Sequence, residues 1–402
     1  MFKKMFRHYD YSLIVPVLLL CGFGVLMVYS SSTVVAMNAE EPLPAYFFFK
    51  HQLMNLAAAL IAFFAAMLFP YKAYEKFTKL ILGVFLLALV AVLIIGQVGG
   101  HAQSWISIAG FNFQPSEFAK IGLIIYLAAV FSKKQHYISN FSRGVVPPLV
   151  VIFVTFMLIA AQPDLGTAMI AVLTAGVVIV CSGMRFKHLS GLLALAVFGI
   201  SMLLLVGSFL SSEQMSRFGA AYEPFDHLGP NDGAGFQLVN SYIAIASGGL
   251  TGRGLGESIQ KYGFLPESYT DFIMAIIAEE FGLFGVIFVI GLLAYLVFRG
   301  FMTGIRCKDT FGSLLAVGIA GMLGVQSVIN LGVVCGFVPV TGVPLPFISY
   351  GGSALVLFMF SMGILVNISM FVSLKREKET ENEMNVPEPQ FESQAFAKGT
   401  QR

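Results

Sequence analysis

Residues 265–280 read "LPESYTDFIMAIIAEE". The stretch begins as a polar loop and from Phe272 runs into an apolar helix. It sets one carboxylate, Asp271, at the junction and two more, Glu279 and Glu280, about two turns further in. The apolar run continues to residue 298, long enough for a membrane span, which needs about 20 largely apolar residues. Acids in such a segment are costly and by default mark function. Reading this stretch therefore decides both the solvent of the fold and where to look for a site.

Composition agrees on the solvent. The 402 residues are 57% hydrophobic and 11% charged, with a mean hydropathy of +0.82. A soluble globular chain carries about 25% charged residues, so the sequence specifies an all-α integral membrane protein. A net charge of +2 gives no footing for nucleic acid. The four cysteines (Cys21, Cys181, Cys307, Cys335) show neither metal nor disulfide spacing, and three of them lie in apolar runs as small hydrophobes.

Working outward from 265–280, ten spans are expected, near 11–36, 51–69, 78–97, 116–132, 145–161, 164–183, 188–210, 271–298, 310–335 and 347–373. Lys3, Lys4 and Arg7 precede the first, whose apolar run is too long for a cleaved signal peptide. With the N-terminus inside, 19 of the 24 lysines and arginines fall in inner segments. Outside lie Lys50, Arg217, Arg253 and Lys261, while Lys120 falls within a span. The positive-inside rule then places both termini in the cytoplasm. Residues 1–374 are expected to form one polytopic domain, and 375–402, charged and without apolar period, a disordered cytoplasmic tail.

The large outer loop between spans 7 and 8, residues 211–270, far exceeds ordinary loop length, which points to function. Its glycine-rich strings "GPNDGAGF" and "SGGLTGRGLGES" allow backbone to approach a ligand or to pack tightly on neighbouring helices. No strand precedes "GRGLGES", so it is not a dinucleotide fingerprint. No internal repeat is evident, which weighs against an inverted-repeat transporter.

Few ionisable groups lie in or beside the spans. Glu117 and Lys120 in "FQPSEFAK" are three apart, share a helix face and can pair; a structural ion pair and a substrate role are both open. Asp164 in "QPDLGTA" stands where it can cap the sixth span or serve a site. Asp271 is placed to be partly desolvated yet within reach of the water interface, a setting that suits a general base. On a continuous helix Glu279 would lie about 12 Å deeper and roughly 80° around, able to face the same cavity, while Glu280 would point away to a neighbouring helix. His51, His101 and His227 lack ligand spacing. "SYGGSA" at 349–354 has no base or acid nearby for a serine nucleophile and reads as a turn into the tenth span.

Four blocks, "FQPSEFAK", "QPDLGTA", "GAGFQLVNSYIAIASGGLTGRGLGESIQKYGFLPESYTDFIMAIIAEEFG" and "PVTGVPLPFISYGGSA", occur in order. Together with the span count they resemble the shape, elongation, division and sporulation (SEDS) family of peptidoglycan glycosyltransferases, and its division branch in particular. The resemblance covers all but the tail. It implies polymerisation of lipid II on the outer face of the cytoplasmic membrane, with inversion at the anomeric carbon, during septal wall synthesis. The donor would be the glycan on undecaprenyl pyrophosphate. It implies that Asp271 is the essential aspartate and that Glu117 and Lys120 are the motif glutamate and lysine. A class B penicillin-binding protein, other divisome membrane proteins and membrane lipids are the implied partners, and Mg²⁺ or Mn²⁺ an implied cofactor. Many relatives carry an arginine just before the tryptophan that follows the third span; here Gln103 and Ser104 precede Trp105, so that contact does not carry over.

Sugar transfer from a pyrophosphate lipid needs a base for the attacking hydroxyl and positive charge for the leaving group. Asp271 suits the first role; Lys120, Arg217, Arg253 and Lys261 are the cations available for the second, with Asp164 and Glu279 as further substrate-binding candidates. Two other classes remain open: a flippase for the same lipid, with Glu117, Lys120 and Glu279 along the path, and a non-catalytic scaffold.

Overall fold

The computed structural model describes residues 8–37, 43–99, 102–108, 111–135, 141–185, 187–188, 190–191, 212–226 and 233–384. Seven of its helices are long and apolar enough to cross a membrane: α1 (Tyr11–Met37), α2 (Phe47–Leu68), α3 (Tyr71–Ile95), α4 (Pro115–Lys133), α9 (Ile273–Arg306), α10 (Thr310–Val334) and α11 (Gly352–Met384). Two shorter apolar helices, α5 (Val146–Ala160) and α6 (Leu165–Cys181), stand where the fifth and sixth spans are expected. The chain is a multi-pass membrane protein. Nearly all of the expected seventh span, 188–210, lies outside the described residues, as does the tail beyond Met384. The helix α11 itself continues ten residues past the boundary expected at 374.

Local sequence sets the helix starts. Pro115 occupies the first turn of α4, where its missing N–H costs nothing. Asp164 caps α6 by accepting from Thr167 N at 3.0 Å, and Asp309 caps α10 by accepting from Gly312 N at 3.0 Å. Between α3 and α4 a three-stranded antiparallel sheet is built from β1 (Gln97–Gly99), β2 (Ala102–Ile108) and β3 (Phe111–Phe113). The outer loop contributes two helices, α7 (Ser212–Tyr222) and α8 (Gly233–Gly248). In the most apolar windows of α4 and α10, 78% is buried against protein, but only 17% in α3. The centre of the bundle is therefore α4, α10 and α11, with α3 at its rim.

Helix α9 begins at Ile273, two residues after Asp271, and is broken at Gly282 (φ 62°, ψ −154°). The break frees carbonyls from the i→i−4 ladder. Leu283 N donates to Gly249 O at 3.0 Å, and the freed backbone oxygens of Glu279 and Glu280 accept from Arg253 N and Gly254 N, each at 3.0 Å. The glycines of "SGGLTGRG" thus serve backbone-to-backbone docking of the outer loop onto a broken helix. At Gly252 (φ 77°) a Cβ would sit 2.2 Å from the Glu280 oxygen. Gly252→Ala is accordingly expected to destabilise the protein by about 2–3 kcal/mol, read as a lower unfolding midpoint in detergent. An unchanged midpoint would refute this account of the loop.

Candidate active site

Asp271 sits in the turn that leads into α9, its side chain 3% exposed. It is outside the helix, so the helical-wheel placement of Asp271 against Glu279 does not hold. The turn is fastened from three sides. Asn330 on α10 donates through Nδ2 to the backbone oxygens of Asp271 and Val343, both at 2.8 Å. Ser349 Oγ donates to Thr270 O at 2.5 Å and accepts from Leu345 N at 2.8 Å. Tyr350 N donates to Tyr269 O at 2.9 Å, and the rings of Phe48, Tyr269 and Tyr350 pack together. "SYGGSA" is therefore a turn into α11, and its Ser349 and Tyr350 also hold the Asp271 turn in place.

The carboxyl of Asp271 faces a mixed field. Burial, reinforced by the charge of Glu267, lifts its pKa from 3.8 to about 7, while the Thr270 hydroxyl and the charge of Arg217 oppose the rise. The Thr270 hydroxyl lies 2.5 Å from Glu267 Oε2 and 3.2 Å from Asp271 Oδ1. A carboxylate poised near neutrality has the property that a general base needs.

A second cluster lies across the loop 335–351. Lys120 Nζ donates to Glu117 Oε1 at 2.8 Å and to Gln326 Oε1 at 2.7 Å, all three side chains being fully buried. Gln326 Nε2 donates onward to Pro344 O at 3.0 Å. Asp164, besides capping α6, accepts from Gln114 Nε2 at 3.1 Å and is close enough for the charges of Glu117 and Lys120 to act on it. Gln326 and Asn330 are one turn apart on α10, and their shared face ties this cluster to the Asp271 turn through Val343 and Pro344. Phe347 in the same loop is held at φ 67° with its side chain buried, a strained conformation that persists only where the surroundings impose it.

The remaining candidates separate. Glu279 is spent inside the protein, accepting from Ser258 Oγ at 2.5 Å, Ile259 N at 2.9 Å and Gln260 N at 3.3 Å. Lys261 is buried against Glu280 at 3.0 Å, Gly256 O at 2.7 Å and Ser30 at 3.2 Å, and Glu280 also accepts from Ser30 on α1 at 2.6 Å. These acids lock the outer loop to the bundle. Arg217 is partly exposed and Arg253 exposed, and neither makes an ion pair among the described residues. His227 lies outside the described residues. Among the described residues no three His, Cys, Asp or Glu side chains converge as a metal site.

Sequence reasoning missed Gln326, Asn330 and the anchoring role of Ser349. The signal was present as two amides at i, i+4 in an otherwise apolar span, which in a membrane helix mark interhelical contacts.

Comparison with known proteins agrees with the geometry. A family model described as "Cell cycle protein" (FtsW, RodA, SpoVE) matches residues 11–374. The chain is 51% identical to the probable peptidoglycan glycosyltransferase FtsW of Bacillus subtilis, covering 94% of this chain and 95% of that one. It is 40% identical to stage V sporulation protein E of the same organism, over 90% and 97% of the two chains. Among solved structures it resembles RodA of Thermus thermophilus (26% identity, TM-score 0.66, 90% and 96% covered). It also resembles a chain from a study of how a peptidoglycan synthase complex coordinates polymerization and crosslinking (26% identity, TM-score 0.72, 90% and 98% covered). On the match across residues 11–374 and these identities, the chain belongs to the FtsW/RodA/SpoVE family of cell cycle proteins, the SEDS family.

Proposed function

We propose that the protein is a peptidoglycan glycosyltransferase that polymerises lipid II on the outer face of the cytoplasmic membrane, in septal wall synthesis. The observation that carries this reading is Asp271, a buried carboxylate with a proton affinity near neutrality on a turn whose backbone oxygens are held by Asn330 and Ser349. The identity to a probable peptidoglycan glycosyltransferase named FtsW supports both the activity and the division role. The lysine and arginine distribution supports an outer-side location for Asp271.

In the proposed reaction Asp271 takes the proton of the 4-hydroxyl of the incoming lipid II sugar as that oxygen attacks the anomeric carbon of the growing strand, with inversion. The bond to undecaprenyl pyrophosphate breaks and the electron pair leaves with the pyrophosphate. Arg217 and Arg253, loop cations in no ion pair among the described residues, are assigned to the leaving group. Lys120, Glu117 and Asp164 are assigned to the substrate side of the loop that Gln326 and Asn330 hold against the Asp271 turn, and Lys261 and Glu279 to holding the outer loop to the bundle. A Mg²⁺ or Mn²⁺ ion, when bound, would neutralise pyrophosphate charge. Among the described residues no three carboxylate, imidazole or thiol groups converge to hold it, so such an ion would rest mainly on the substrate pyrophosphate. The partner proposed is a class B penicillin-binding protein that cross-links the product, within a larger divisome assembly.

The test is polymer synthesis from labelled lipid II by the purified chain with its transpeptidase partner and divalent metal. Long glycan strands are expected, and their absence would favour a flippase. The pH profile adds a check. Only the deprotonated Asp271 can act as base, so the rate is expected to rise with pH through about 7. Glu267→Gln removes a like charge and should move that limb to lower pH, whereas Arg217→Gln should move it higher. A rate flat between about pH 6 and 8 in all three proteins would count against Asp271 as the base.

A further inference from the structure

A cavity of about 850 Å³ lies at the far end of α9 from Asp271. Its walls come from residues 8–10 before α1, the first turn of α3, the end of α9 with the turn 307–309, and the second half of α11. Six lysines and arginines line it against three carboxylates. Arg299 is paired with Asp10, Lys308 with Glu379 at 2.8 Å, and Asp309 is occupied in capping α10. That leaves Lys72, Arg306, Lys375 and Arg376, all exposed and in no ion pair among the described residues. They come from three separate helices. The positive-inside rule asks only for cations in inner segments; it does not ask that four of them border one cavity.

The rest of the lining decides the ligand. Met302, Phe371 and Val372 form an apolar wall on helices that cross the membrane, and Phe371 is 38% exposed. Four unpaired cations at the level where α3 starts and α9 ends, beside an apolar wall, match an amphiphile with an anionic head. Basic pockets between transmembrane helices at the cytoplasmic side are suited to phosphate-bearing lipid heads. We infer that this cavity binds an anionic phospholipid of the inner leaflet, its phosphate against Lys72, Arg306, Lys375 and Arg376 and its acyl chains along Met302 and Phe371. The choice of leaflet rests on the orientation proposed above; the binding does not, and it is independent of catalysis.

The experiment uses the full chain, purified and delipidated in neutral detergent, and native mass spectrometry after addition of phosphatidylglycerol, phosphatidylcholine or inorganic phosphate. Preferential retention of phosphatidylglycerol is expected. Each cation removed should lower that retention about fivefold, so Arg306→Gln/Arg376→Gln should lose most of it, while Arg306→Lys/Arg376→Lys keeps it. The unfolding midpoint without lipid, measured on both variants, separates lost binding from lost folding. Equal retention of the two phospholipids, or undiminished phosphatidylglycerol in a folded glutamine variant, would overturn the inference. Displacement of the lipid by inorganic phosphate would reassign the cavity to a soluble anion and overturn the lipid assignment too.

Discussion

Asp271→Asn is expected to yield a folded protein that binds lipid II and makes little or no glycan. The amide keeps the size of the carboxyl and can still engage Thr270, so the turn held by Asn330 and Ser349 through backbone oxygens is untouched. What disappears is the base, whose contribution is typically about 10²–10⁴-fold. The variant should also be no less stable than wild type at neutral pH. Folding raises the Asp271 pKa from 3.8 to about 7, so the folded state favours the protonated form. The stability that Asp271 contributes is full below its unfolded pKa and lost as pH rises through about 7. The loss is bounded at about 4 kcal/mol, and a neutral amide escapes it. Polymer yield and unfolding midpoint, measured on one preparation, test both halves. Undiminished polymer would remove Asp271 as the base, whatever the midpoint.

Lys120→Met is expected to fail differently, by lowering the amount of folded protein. It strands the Glu117 carboxylate in the bundle centre, where Oε2 already lacks a hydrogen-bond partner, and it leaves Gln326 Oε1 without its donor. Removing one member of a buried pair costs about 3–5 kcal/mol. The double variant Glu117→Gln/Lys120→Met removes both charges and should recover a substantial part of the loss. Membrane abundance measured beside polymerisation decides the matter. If Lys120→Met accumulates to wild-type levels and loses only activity, the pair serves the substrate directly.

These two variants probe sites that differ in how far they could be read in advance. The apolar runs and the inner bias of lysine and arginine are properties of the chain itself, because the membrane imposes length and satisfied backbone on any span. Nine of the ten expected spans correspond to described helices, with starts shifted where polar residues such as Lys72 and Glu75 extend a helix beyond its apolar part. Asp271 stood out because it is an acid at the edge of such a run. Glu117 and Lys120 stood out because an i, i+3 pair of opposite charge needs no tertiary information to be recognised.

The partners of the other acids were beyond that kind of reading. Glu280 meets Ser30 across 250 residues of sequence, and Glu279 meets the amides of a loop whose neighbouring segment docks on the backbone that the Gly282 break frees. Glycine permits such a break without requiring it; the docked backbone of 249–254 is what stabilises it. The sequence by itself determined the solvent and the spans, and it supplied the orientation and the candidate base on which the proposed function rests. Which charges stay free for a substrate, and which are consumed in holding the outer loop down, was decided only by tertiary structure, because a buried charge takes whatever partner the packing of distant segments brings within hydrogen-bond reach.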